Sequence, residues 1–314
     1  MTTEIPFNKV AIIGVGLIGG SIAMALRSKG LCGHITGIGR TIENLVTAKK
    51  LGVVDSFTQE LEDGVKDADL VIVALPVKKT PEVIKRIGAY LKPGAIVTDV
   101  GSVKAAIIEA VEPALPQGVH FVGAHPIAGG EQSGVAAASA GLFQGHKCVI
   151  TPTESTDKAA LAAVKKIWQE AGAQVVMMDA EIHDWILAST SHLPHIIIYN
   201  LVNAVGDTAN RRADLMTYSA GGFKDSTRIA SSSPEMWSEI CGMNKGNIVD
   251  AIEGFQKRLE TVKKFIQAGD LSSLTREFAK AKGFRDSLAP KQPALHKSHD
   301  HKPHEGPCNH DHHK

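Results

Sequence analysis

Cysteine is scarce in this chain, and its four copies, Cys32, Cys148, Cys241 and Cys308, stand far apart with no CxxC pair among them. That spacing argues against a disulfide framework and a structural zinc knot. It suits a reducing compartment, with the thiols as buried or bystander groups. An excess of charge of one sign is also missing: 34 Lys and Arg against 33 Asp and Glu leave a net charge of +1, so no electrostatic argument points to nucleic acid or to an anionic membrane. No apolar run is long enough to cross a bilayer, and the opening MTTEIPFNKV lacks the basic and apolar blocks of a signal peptide. These absences describe a soluble cytoplasmic protein with no nucleic-acid or membrane partner. Its 314 residues suffice for two domains with a core each.

What is present starts at once. In KVAIIGVGLIGGSIAMALRSKG, residues 9–30, the apolar run Val10 to Ile13 reads as a buried parallel strand, Gly14, Gly16 and Gly19 follow, and Ser21 to Lys29 reads as a helix. In that order the first glycine makes a tight turn, the second lets backbone approach a pyrophosphate and the third lets helix and strand pack closely, while the helix N-terminus offers N–H groups to phosphate. Gly14, Gly16, Leu17, Ile18 and Gly19 are therefore the candidate dinucleotide-binding residues. A merely tight glycine turn is the plainer alternative. A second strand is expected over His34–Gly39, and the acid that would hold a ribose hydroxyl is missing at its end: Gly39, Arg40 and Thr41 stand there, with no carboxylate before Glu43. Arg40 and Thr41 lean the NAD(P) choice towards NADP, whose 2′-phosphate they could receive. Alternatively, Arg40 stacks over adenine and NAD binds.

Further strands are expected over 67–77, from Ala95 into a loop with Asp99, Ser102 and Lys104, within 119–134 as a strand running into a glycine-rich loop, and over 146–152 and 174–179, with helices between them. Ser102 is either a site hydroxyl or the N-cap of a helix over 104–112. His125 falls at a strand end ahead of a glycine-rich loop, where side chains reach the ligand crevice of such sheets, and is the candidate general base. From Ala180 the period turns helical. The organisation expected is a Rossmann-type dinucleotide-binding domain over 7–180, an all-helical substrate and dimerisation domain over 181–288, and a disordered His-rich tail over 289–314. Within the helical part, Ser191, His192 and His195 make a polar island in SHLPH, with the two histidines on one face if the helix runs past Pro194. A substrate-facing patch is favoured over two core histidines bonded to backbone. Arg228, set among small residues, suits capture of a carboxylate, though an isolated surface arginine is more often a salt-bridge partner. Seven of the fourteen histidines fall in the tail; weak divalent-metal binding is expected there and no metal in catalysis.

GVGLIGGS, DVGSVK, GAHPIAGGEQSG, HDWILASTSHLPH and FKDSTRIA, in that order across residues 8–288, resemble the prephenate dehydrogenase family, which includes arogenate and cyclohexadienyl dehydrogenases. The resemblance implies a Rossmann-type first domain and a helical domain that forms a homodimer. The reaction it implies is oxidative decarboxylation of prephenate to 4-hydroxyphenylpyruvate on the route to tyrosine, with arogenate as the alternative substrate. It further implies His125 as acceptor of the C4 hydroxyl proton, Ser102 as its positioning hydroxyl and Arg228 as partner of a substrate carboxylate. Ser191, His192 and His195 would surround the nicotinamide and the substrate side chain. Glu131 and Trp237 would be a gating acid and a wall residue near the dimer interface, and His183 a further polar position. Gly130 stands where some members carry a hydroxyl. No regulatory ACT domain is expected after residue 288. A β-hydroxyacid-type dehydrogenase would carry a catalytic lysine where SHLPH stands, and a nucleotide-sensing or metal-storing protein would have no use for His125, Ser102 and Arg228 together.

Overall fold

The computed structural model describes residues 7–130, 132–209 and 215–288. Its strands are β1 (Phe7–Ile13), β2 (Cys32–Ile38), β3 (Ser56–Thr58), β4 (Leu70–Val73), β5 (Ile96–Asp99), β6 (His120–Pro126), β7 (Lys147–Thr151) and β8 (Gln174–Met177). The helices that alternate with them are α1 (Leu17–Ser28), α2 (Ile42–Lys50), α3 (Leu61–Val65), α4 (Lys79–Ile87), α5 (Ala105–Val111) and α6 (Lys158–Glu170). Then come α7 (Ala180–Leu187), α8 (Leu193–Ala209), α9 (Gly221–Thr227), α10 (Pro234–Met243), α11 (Lys245–Ala268) and α12 (Leu271–Ser287).

The eight strands form one sheet in the order β3-β2-β1-β4-β5-β6-β7-β8. From β3 to β6 all neighbours are parallel, which is the outcome expected of buried apolar runs separated by helices. The β6–β7 pair is antiparallel, with His125 opposite Val149, and β7–β8 returns to parallel; apolarity alone did not distinguish the two directions. The strands supply two cores by alternation. Val10, Ile12, Leu70 and Ile72 pack with Ile22 and Leu26 of α1 and Trp168 of α6 on one face. Ala11, Ile13, Val71 and Val73 pack with Ile84 of α4, Ile107 and Val111 of α5, and Trp237 and Ile240 of α10 on the other. Each such fully buried Leu or Ile contributes roughly 1.5–3 kcal/mol of apolar transfer.

β1 connects to β2 on one side while β4 adds on its other side, so the direction of winding reverses between β1 and β4. The ends of these two strands, Ile13 opposite Val73, are where such sheets open a ligand crevice. The first helix starts at Leu17, earlier than the expected Ser21. Gly19 and Gly20 are thus helical residues, and they are glycines because the helix backbone lies against its neighbours: a Cβ on Gly19 would sit 2.1 Å from the Gly14 carbonyl oxygen, and one on Gly20 2.9 Å from Ala138 Cβ.

The chain has two compact units, residues up to Gly254 and residues from Phe255. The helical composition does begin after β8, but α7 to α10 are compact with the sheet, because Asp184 of α7 and Trp237 of α10 are built into it. The second unit holds the rest of α11 and α12, with an Arg258–Glu277 ion pair at 3.7 Å and exposed Leu259, Ile266, Phe278 and Phe284. No helix among the described residues is long and apolar enough to cross a membrane.

Candidate active site

Gly14 follows β1 with φ +92°, a conformation that favours glycine, and any Cβ there would lie 2.2 Å from the carbonyl oxygen of Ala74 at the end of β4. Its N–H donates to Ile38 O at the end of β2 at 2.8 Å, so the turn is tied to both neighbouring strands. Gly16 caps α1 with no side-chain hydrogen bond, and a Cβ on it would meet nothing within 4 Å. The helix therefore opens with bare backbone N–H groups beside free space, a setting that fits the diphosphate of a dinucleotide. Leu17 and Ile18 form its first turn. Gly39, Arg40 and Thr41 continue from the end of β2. Arg40 and Thr41 are exposed, Thr41 occupies the N-cap position of α2, and the Arg40 carbonyl accepts from the Gln59 side-chain amide.

At the far side of the crevice, the end of β6 is clamped. Asp99 and Lys104 form an ion pair with both side chains 0% exposed. Lys104 Nζ also donates to Ala124 O at 2.9 Å, and Ala124 N donates to Asp99 Oδ1 at 3.2 Å, while Asp99 Oδ2 accepts from Gly101 N at 2.9 Å. The residue before His125 is thereby held at both its backbone groups. Burial pulls the Lys104 ammonium below its ordinary pKa, and the adjacent Asp99 carboxylate opposes that. Of the two readings of Ser102, site hydroxyl or cap of the following helix, the cap is not met. No side chain of the loop caps α5, and the donors at its start are taken by Asp184 of α7, whose carboxylate accepts from Lys104 N at 2.8 Å and Ala105 N at 3.0 Å. A carboxylate has two acceptor oxygens and suits two adjacent N–H groups better than one hydroxyl. Ser102 is half-buried in that loop.

Asp184 also engages the imidazoles. His183 Nδ1 lies 2.7 Å from Asp184 Oδ1, and His183 Nε2 lies 2.9 Å from His125 Nδ1. An ionised carboxylate only accepts, so His183 donates from Nδ1, its neutral ring accepts at Nε2, and His125 donates from Nδ1. His125 is left with its lone pair on Nε2. His183 and Asp184 are buried and His125 is half-buried, with its Nε2 not among the buried nitrogens that lack a partner. Burial, followed by the neighbouring His183, Lys104 and His192, holds the His125 imidazolium well below the usual histidine range.

The SHLPH island sits on a π-helical turn, Ala188–His192, that runs directly into α8, so the helix does continue past Pro194. A π-turn is a frequent device at functional sites. Both histidines meet Trp237 of α10: His195 stacks on it with centroids 3.8 Å apart, and His192 meets it edge-on at 6.0 Å. They share a face as expected, yet their environments differ. His192 is 1% exposed. Asn244 Nδ2 donates to His192 Nδ1 at 3.2 Å and to Asp184 O at 2.7 Å, which assigns the His192 proton to Nε2. Burial lowers its pKa to about 4. The reading of the whole island as a substrate-facing patch is therefore corrected for His192, a core residue.

His195 lines a cavity of about 1080 Å³ together with Leu17, Gly130, Ser133, Arg228 and Met236. Arg228 is exposed, and it follows α9. No carboxylate lines the cavity among the described residues. His125, Ser102, Ser191, His192 and Trp237 are not part of its wall; Trp237, 8% exposed, is a core residue stacked behind His195. A chain of contacts through His183, Asp184, Asn244, His192 and Trp237 links His125 to the wall residue His195. Glu131 and the His-rich tail lie outside the described residues. Among the described residues no cluster of three or more His, Cys, Asp or Glu could hold a metal. Sequence reasoning missed Asp184 and Asn244, and it placed Asp99 and Lys104 in one loop without pairing them. Only DVGSVK, with an acid and a lysine five apart in an otherwise apolar stretch, carried any signal for them.

Residues 22–177 match the family profile for the prephenate dehydrogenase nucleotide-binding domain, and residues 179–280 match that for the prephenate dehydrogenase dimerization domain. Prephenate dehydrogenase of Bacillus subtilis is 37% identical, covering 91% of this chain and 77% of its own length. Cyclohexadienyl dehydrogenase of Zymomonas mobilis is 36% identical over 90% of this chain and 96% of its own. The crystal structure of prephenate dehydrogenase from A. aeolicus in complex with hydroxyphenyl propionate and NAD+ superposes with a TM-score of 0.85 at 38% identity, covering 92% of this chain and all of that one.

Proposed function

The chain belongs to the prephenate dehydrogenase family, and from that premise we propose that it catalyses NAD(P)-dependent oxidative decarboxylation of prephenate to 4-hydroxyphenylpyruvate. The observation that carries this reading is that Leu17, one residue past Gly16 of the glycine cradle, and Arg228 line one cavity. Gly14, Gly16 and Gly19 with the α1 N-terminus would hold the cofactor diphosphate, and the open space over Gly16 suits it. When bound, the nicotinamide supplies the acceptor for the hydride leaving C4 of the ring.

The rest is orientation and one proton. Arg228 pairs with a substrate carboxylate, and His195, held by its Nδ1 contact with Ser191 O at 2.9 Å and by Trp237, sets the side-chain end of the pocket. His125 accepts the C4 hydroxyl proton at Nε2, the nitrogen left bare by its bond to His183, and Ser102 lies in the loop that carries the clamp on Ala124. Loss of CO₂ then makes the ring aromatic. Arogenate carries an ammonium that a carboxylate would best receive. The Arg228 guanidinium in the cavity wall suits a carboxylate, which both substrates carry, so the prephenate reading rests on the likeness to relatives named prephenate dehydrogenase. Glu131 remains the candidate gating acid on sequence grounds.

Two finer readings complete the proposal. The exposed Arg40 and Thr41, with no acid before Glu43, favour NADP over NAD; kcat/KM for NADP below that for NAD would overturn this. Residues 179–280 assemble a homodimer, which sedimentation would reveal as a particle of twice the chain mass. The principal test is a spectrophotometric assay with prephenate and either cofactor. Cofactor reduction with matching 4-hydroxyphenylpyruvate is expected, and turnover of arogenate alone would overturn the substrate assignment.

A further inference from the structure

The Asp184–His183–His125 chain does more than orient one ring. Its three members have no outlet except His125 Nε2, and the bonds between them, 2.7 and 2.9 Å, run in a single donor direction from His125 Nδ1 to His183 and from His183 Nδ1 to the carboxylate. We propose that His183 is the resting place of the substrate proton: His125 takes the proton at Nε2 and passes its Nδ1 proton to His183 Nε2, so that the positive charge settles on His183 beside Asp184. This rests on the proposed reaction above and deepens it.

The balance closes without another reactant. As C4 is oxidised, the hydroxyl O–H bond breaks, an Nε2–H bond forms on His125, and an N–H bond shifts from His125 Nδ1 to His183 Nε2. When the bond from the ring to its carboxylate breaks, the electron pair travels through the ring to the C4 oxygen. That oxygen takes the proton back as both shifts reverse. The relay lends a proton and ends unchanged, in keeping with a conversion that yields a phenol and CO₂ with no net proton.

The charges around His183 favour this resting place. His125 of β6 faces it at Nε2 and Asp184 at Nδ1. His192, from the π-helical turn, is neutral, since burial lowers its pKa to about 4. Lys104 and Asp99 form a buried pair of opposite charges and largely cancel. Cys148 of β7 is a thiol, because burial raises its pKa. The uncancelled charge in this cluster is the Asp184 carboxylate, and it touches His183 and not His125. A cation on His183 is thus an adjacent ion pair, while one on His125 is separated from that charge by a whole ring.

The test has a readout that needs neither substrate nor cofactor. In the full-length protein labelled with ¹⁵N-histidine, with signals assigned through His125→Asn and His183→Gln, the neutral form should carry hydrogen on Nδ1 of both residues. The first proton added on acidification should appear on His183. Hydrogen on His125 Nε2 in the neutral form, or a first proton on His125, would overturn the proposal. In the assay, His183→Gln keeps an acceptor for His125 but cannot store a proton. It should lower kcat roughly tenfold or more with KM within about twofold, and move the acidic limb of the kcat/KM profile down by about one pH unit. Asp184→Asn should move the limb the same way. A purely structural role would leave the limb in place while KM and melting temperature change together, and that result counts against the relay. If the wild type shows the expected tautomers but does not turn over prephenate, the reaction assignment fails and the relay stands.

Discussion

Two buried polar clusters meet at Ala124 and His125, and they end differently. In the Asp99–Lys104 cluster every polar group finds its partner inside the protein: the ammonium holds a carboxylate and a backbone carbonyl, and the carboxylate takes two backbone N–H groups. In the Asp184–His183–His125 cluster each internal bond is made, and one imidazole nitrogen is left over at the partly exposed end. A closed cluster can only hold a fold together, whereas an open one has an atom to offer a substrate. Substitutions in the first should therefore read out in stability and those in the second in turnover.

The largest effect should come from opening the closed cluster. Lys104→Met leaves Asp99 buried without its counter-ion and should lower unfolding stability by about 3–5 kcal/mol in urea titration, with Asp99→Asn added to it restoring part of the loss. A loss below about 1 kcal/mol would show that the pair is not closed as described. Next comes pH. The folded pKa of His192 is about 4, below the roughly 6.5 of an unfolded histidine, so the unfolded chain binds more protons between these values. The His192 contribution is fully present above pH ~6.5 and is lost as pH falls towards 4, by roughly 3 kcal/mol, with His125 acting in the same direction. His192→Asn should flatten the slope of stability against pH over this window, and an unchanged slope would remove His192 as its source.

On the open cluster, His125→Asn should reduce kcat by a factor of roughly 10² with stability and KM nearly kept. Near-normal turnover would take the base role from it. The smallest effect should be at the cavity wall, where Arg228→Ala should raise KM for prephenate about tenfold through the lost charge-assisted pair, with kcat within a few-fold. An unchanged KM would separate Arg228 from the substrate.

The difference between the clusters also explains what could be read in advance. The glycine cradle was legible because its demands are local: a positive φ at Gly14 and a close approach at Gly19 are satisfied within a few residues. His125 was legible because a histidine ahead of a glycine-rich loop at a strand end is unusual in itself. Ser102 could be read as a cap as well as a site hydroxyl because the carboxylate that takes the helix donors, Asp184, comes from 80 residues beyond Lys104. His192 and His195 looked equivalent in SHLPH, and only Asn244, 52 residues beyond His192, separates their surroundings.

By itself the sequence determined the alternation of strands and helices through residue 177 apart from the short β3 and α3, the dinucleotide turn and the identity of the candidate base, since each depends on neighbours within one or two elements. Tertiary structure alone decided which nitrogen of that base is bare, which of the two island histidines meets the cavity, and that the helices through Gly254 are compact with the sheet. The reason is geometric. A hydrogen bond fixes a tautomer only when its partner arrives, and here the partners of His125 and His192 are brought by folding from 58 and 52 residues away.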